Sequence, residues 1–206
     1  VPPIVLSTPN STGSLDPYID VINDSFEFAA SAARRLLGAD DIDVVVFDAP
    51  EQTIPEWGVG GYTYGESVVL VAVDPTWEIE RSKLVATMVH EFHHAMRWRG
   101  PGCGGTLGQM LVSEGLAELF EEEVVGEAPF YSKVEISDEE MTRALLELEN
   151  RNFDQSKWFF GSSDVSRFFG YAYGYQICRT YSRRVGRSAA ELVEVSTAEI
   201  ISLTRP

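Results

Sequence analysis

The chain has 206 residues, 44% hydrophobic and 11% aromatic, a length and mixture that fill the core of one globular domain. Its 32 acidic and 16 basic side chains give a net charge of −16, which repels nucleic-acid phosphates and anionic bilayers. The longest apolar run, Val68 to Val73, has a strand's length and falls far short of the roughly eighteen residues that span a membrane, so neither nucleic-acid binding nor membrane insertion is expected.

Residues 1–15, rich in Pro, Gly, Ser and Thr without periodicity, read as an extended arm before a single domain over 16–206. Asp16 as N-cap and Pro17 in the first turn open a helix whose apolar positions, among them Ile22, Phe26, Ala30 and Ala33, keep helical spacing until Gly38. The β-branched run from Ile42 to Phe47 reads as a strand, and residues 58–65 and 67–73 as two adjacent strands. Gly60 and Gly61 lack side chains, so another backbone can come close; with Tyr62 beside them they are candidates to bind an extended chain. The competing reading is a glycine-softened hairpin with no ligand.

Residues 84–99 form the next helix, on an apolar stripe of Leu84, Val85, Met88, Val89 and Phe92. It contains all three histidines of the chain, within His90-Glu91-Phe92-His93-His94. Positions i and i+4 share a helical face, so His90 and His94 can reach one ion. Glu91, one step round, stands where a general base for a water beside that ion belongs. A third protein ligand is required. A histidine six residues after His94 is ruled out, because Gly100 is there. The better candidate is Glu114, reached after an intervening Gly/Pro turn and the start of a second helix. Cys103 is the runner-up, and whether it pairs with Cys178 is open at this level.

Thr106 and Gln109 resemble a capping box opening that second helix, which ends at Gly126. Glu121, Glu122 and Glu123 near its end oppose the helix dipole and read as an acidic surface. Ser137 caps a helix running to about Asn150, an aromatic-rich loop covers 151–168, and 169–181 reads as helical despite Gly170 and Gly174. Short closing helices are expected at 188–193 and 196–202. No cleavable signal pattern is visible, and a cytoplasmic location is favoured over a secreted one.

His90-Glu91-x-x-His94 followed by Ser113-Glu114-Gly115-Leu116-Ala117 resembles the gluzincin zinc peptidases. With the doubled His93-His94, Arg97, the segment 112–118 and the late Gly170-Tyr171-x-x-Gly174-Tyr175, the finer similarity is to the YjaZ-like zinc peptidases. This resemblance covers roughly residues 40–202. It implies an α+β, zincin-like fold: a small N-terminal mixed sheet, an edge strand over the H-E-x-x-H helix, and a mainly helical C-terminal part, with lobes near 16–100 and 101–206. It also implies one zinc ion on His90, His94 and Glu114, and a peptide or protein substrate. Glu118, one turn beyond Glu114, would accept the other ring N–H of a ligating histidine, unless it belongs to the acidic run. Tyr171 would donate to the oxyanion, with Tyr175 or His93 as alternatives. The expected activity is a zinc metallopeptidase with Glu91 as general base. The alternatives are a zinc-binding interaction module without catalysis, or a hydrolase of a non-peptide amide or ester.

Overall fold

Short β-branched runs pair into one four-stranded sheet. Strands β1 (Ile4–Ser7), β2 (Ile42–Asp48), β3 (Val59–Tyr64) and β4 (Val68–Val73) lie in the order β1-β2-β4-β3. β1 and β4 run parallel to β2, and β3 is antiparallel to β4. The computed structural model describes residues 3–203, and its contacts divide the chain into one unit ending at Met96 and another beginning at Arg97. The segment expected as an extended arm contributes β1, paired from Ile4 opposite Ile42 to Ser7 opposite Val45.

In the first unit, helix α1 (Ile19–Leu37) joins β1 to β2, as a parallel pair requires. Asp16 does not cap it. Residues 16–18 form a separate 3₁₀ turn that accommodates Pro17, and the Asp16 carboxylate accepts from Asn10 Nδ2 at 2.7 Å. Gly38 closes the helix in the left-handed region (φ 66°), its N–H reaching Ala33. Alternate residues Ile42, Val44 and Val46 of β2 and Val69, Val71 and Val73 of β4 are buried. Val59, Gly61 and Thr63 lie opposite Val73, Val71 and Val69, so they share that face. Helix α2 (Arg81–Trp98) buries the expected stripe of Leu84, Val85, Met88, Val89 and Phe92. Each such side chain contributes about 1.5–3 kcal/mol.

The second unit is mainly helical: α3 (Leu107–Val125), α4 (Asp138–Glu147), α5 (Phe169–Val185) and α6 (Thr197–Ser202). Arg97, wholly buried, donates to the carbonyls of Val193 and Val195 and to the Thr197 hydroxyl at 3.0–3.3 Å, fixing the approach to α6. α3 begins at Thr106, whose hydroxyl accepts the Gln109 N–H, and ends at Gly126 with φ 89°. Buried residues occur on every side of α3, as expected of a helix apolar all round. Its contact with α5 depends on two glycines. A Cβ at Gly115 would lie 2.1 Å from the Gly174 carbonyl, and one at Gly174 would lie 2.2 Å from Leu111 O. The two backbones touch there, and no larger residue fits.

The acidic end of α3 is only in part the solvated surface expected of it: Glu123 is exposed and Glu122 half-buried. Glu121 is buried and accepts from the Tyr131 hydroxyl, Glu122 from Tyr175, and Glu123 from the Ala189 N–H. These bonds, invisible in a run of like residues, offset the unfavourable dipole.

α4 begins with a complete capping box. Ser137 Oγ accepts the Glu140 N–H, and the Glu140 carboxylate accepts from the Ser137 N–H and hydroxyl. Its other oxygen takes the Ser166 N–H at 2.6 Å, tying the aromatic-rich loop to the helix start. Burial alone would push this carboxyl up, but the bonds from Ser137 and Ser166 outweigh it and lower the pKa from 4.5 to about 2. A depressed folded value means the stabilisation is complete above pH 4.5 and is lost as pH falls towards 2. Glu140→Gln is therefore expected to lose about 1 kcal/mol near neutral pH. In chemical unfolding the gap from wild type should narrow steadily below pH 4.5. A gap independent of pH would contradict this assignment.

Candidate metal centre

The centre begins on α2. His90 and His94, one turn apart, are both buried, and their Nε2 atoms face each other at 3.1 Å with ring planes 78° apart. Two imidazole nitrogens at that distance need a proton or a cation between them. A tetrahedral zinc ion with Zn–N near 2.0–2.1 Å sets neighbouring donors about 3.3 Å apart, close to the separation seen. The third candidate donor is Glu114 of α3. One ligand atom from each of His90, His94 and Glu114 lies within 4.8 Å of the others. Two imidazoles and one carboxylate are a donor set of catalytic zinc, so these residues fit that ion. With the sheet edge against the same helix, the His–His–Glu cluster fits a zincin-like α+β arrangement. Cys103 is not in this cluster, and among the described residues neither Cys103 nor Cys178 is in a disulfide.

Glu91, also buried, is held by the sheet rather than by its own helix. The Thr63 hydroxyl stands 2.7 Å from Glu91 Oε2 and 2.9 Å from its backbone carbonyl. Gly61, two residues earlier on the same face, leaves the space that the carboxylate fills. A Cβ at Gly61 would meet Oε1 at 2.4 Å and Cγ at 2.7 Å. Thr63 escaped sequence reasoning because a threonine in a strand is ordinary, and nothing in the sequence links it to a residue 28 positions later.

The other sequence candidates scatter. Gly60 packs on the Gln52 carbonyl, where a Cβ would come within 2.2 Å. Tyr62 alternates with Gly61 and Thr63, so it projects from the sheet face opposite Glu91 and is 61% exposed. Glu118 and His93 are fully buried. Tyr171 is half-buried in an aromatic cluster, its ring 5.1 Å from those of Tyr131 and Phe159. Tyr175 is committed to Glu122, and burial followed by that carboxylate raises its pKa. Tyr131, in the short turn Phe130–Lys133, went unnoticed in the sequence because that segment has no period. Burial first, then the charges of Glu121, Glu118, Tyr171 and Glu114, holds its phenol well above the usual value. The phenol therefore stays protonated, a donor rather than an acceptor among carboxylates.

A family model described as "Predicted Zn-dependent protease (DUF2268)" matches residues 22–202. No curated protein matches the chain. The match takes in β2 to α6 and every residue of the cluster.

The donor set carries its own test. Glu114→Ala should weaken zinc binding by at least about tenfold in competition with a chromophoric chelator, and Cys103→Ser should leave it unchanged. Equal affinity in the Glu114 variant would remove that carboxylate from the ligands.

Proposed function

Because the chain belongs to this family of predicted zinc-dependent proteases, we propose that it hydrolyses peptide bonds in a gluzincin-like manner, with His90, His94 and Glu114 as ligands of one zinc ion and Glu91 as general base. The convergence of these three donors, beside a glutamate seated on a sheet edge, is the observation that carries this reading. When bound, zinc supplies Lewis acidity, which acidifies a water molecule and polarises the carbonyl to be attacked. Glu91 accepts the proton as the water oxygen adds to the carbonyl carbon. It then delivers that proton to the departing amine nitrogen as the C–N bond breaks, and is restored for the next cycle.

The remaining roles follow from the same reading. Glu118, buried one turn from Glu114, orients a ligating histidine through its second ring nitrogen. Tyr171 donates to the developing oxyanion, and the aromatic rings around it limit its rotation. The substrate lies extended along β3, at Gly60, Gly61 and Tyr62. Support for that pose comes from the ladder. β3 is the sheet edge, and Gly58 O accepts the Asp74 N–H. By alternation, residues 60, 62 and 64 turn their main-chain groups to β4, while 61 and 63 turn theirs to the open side. Glu91 Oε1 adjoins this stretch of edge. The roles of Glu118 and Tyr171 are those that the YjaZ-like resemblance implies.

Digestion of a peptide library with and without chelator tests the reading, and chelator-sensitive cleavage is expected. Zinc binding without turnover would point to an interaction module, and turnover of small amides or esters alone to a different hydrolase. Glu91→Gln should keep its zinc and lose about 10²–10⁴ in kcat; full activity in that variant would take Glu91 out of the mechanism.

A further inference from the structure

The Glu91 carboxylate is held on both sides by one strand. On one side the Thr63 hydroxyl reaches Oε2 at 2.7 Å, and Thr63 is itself only 8% exposed. On the other side Oε1 occupies space that exists only because residue 61 has no side chain. A glutamate has three rotatable side-chain bonds, so a carboxylate without such contacts samples many positions, and misplacement by about 1 Å can cost a hundredfold in rate. The hydroxyl carries one proton for two acceptors, the Glu91 carbonyl and Oε2, and its shorter contact is to the carboxylate.

From this geometry we infer that Thr63 and Gly61 are positioning residues for the base: Thr63 fixes Oε2, Gly61 leaves room for Oε1, and Oε1 is the atom that takes the proton from the attacking water. The inference rests on the peptidase reading for its chemistry and on β3 alone for its geometry. It also gives Gly61 two distinct jobs. Its main chain faces the open edge, and its missing Cβ leaves room for the base. Any side chain at 61 would move the carboxylate before it touched a substrate. The clash is with the mobile end of Glu91 rather than with backbone, so the strand itself can tolerate alanine there. The Thr63 side chain, by contrast, keeps Glu91 in place without touching substrate.

The experiment compares zinc-loaded wild type with Thr63→Val, Thr63→Ser and Gly61→Ala, normalised to bound zinc. Thr63→Val, which keeps the shape and loses the hydroxyl, should lower kcat by about ten- to a hundredfold with KM within about twofold. Thr63→Ser should restore most of kcat, and Gly61→Ala should lower it as Thr63→Val does. In a Glu91→Gln background, Thr63→Val should have no further effect on kcat, because it acts through that carboxylate. A loss that serine does not restore, or an equal loss in the Glu91→Gln background, overturns the proposal. Crystal structures of the same proteins supply a readout independent of turnover. The carboxylate should keep its place in wild type and Thr63→Ser, and shift in Thr63→Val and Gly61→Ala. An unmoved, ordered Glu91 in both shifted variants overturns the proposal even if they are slow. If wild type shows no peptide turnover, the functional reading fails, and the positions of Glu91 in the four crystals still decide this one.

Discussion

The seat of the Glu91 carboxylate on strand β3 is the contact on which the account of the first unit depends. It needs a strand at the sheet edge, a glycine at 61 and a hydroxyl at 63 on one face, and a glutamate at the right height on α2. The sheet meets these demands through register. Thr63 lies opposite the buried Val69 and Gly61 opposite the buried Val71, so β3 presents its polar and bare positions where its neighbour presents valines. A slip of one residue would bring Tyr62 or Tyr64 to Glu91 instead. The buried apolar stripe of α2 opposes any such shift, because register and packing are set by the same hydrophobic face.

The second unit meets a comparable demand with glycines. Gly115 follows Glu114 directly and touches the backbone of α5 at Gly174. The glycine within Ser113-Glu114-Gly115 is thus a packing requirement placed beside a candidate ligand, and it holds α3 against α5 at that point. The acids near the end of α3 are then paired one by one. Glu121, buried, Glu122, half-buried, and Glu123, exposed, each receive a hydrogen bond from a different segment. A chain carrying a net charge of −16 gains specificity from such pairings, because each acid accepts from a donor at one place in the fold.

Much of this was legible in the sequence, and the reason is locality. The His90–His94 spacing, the stripe of α2, the stops at Gly38 and Gly126 and the Ser137 box all lie within one or two helical turns, where period and capping rules apply. The hairpin of β3 and β4 was legible for the same reason. What was not legible was non-local or too short. Strand β1 has four residues in a proline-flanked arm, and only pairing with β2 gives it structure. Asp16 looked like a cap, but Asn10 holds its carboxylate and Pro17 sits in a separate turn. Thr63, Tyr131 and the Gly115–Gly174 contact each join segments far apart in sequence, and no local pattern marks them.

The central claim is that two imidazoles and one carboxylate, with no thiolate, form the protein's share of a zinc site. X-ray absorption at the zinc edge of the loaded protein tests it most directly. The account predicts a first shell of nitrogen and oxygen alone at about 2.0–2.1 Å, with outer-shell scattering from two imidazole rings. A sulfur neighbour at about 2.3 Å, or scattering from a single ring, would contradict it.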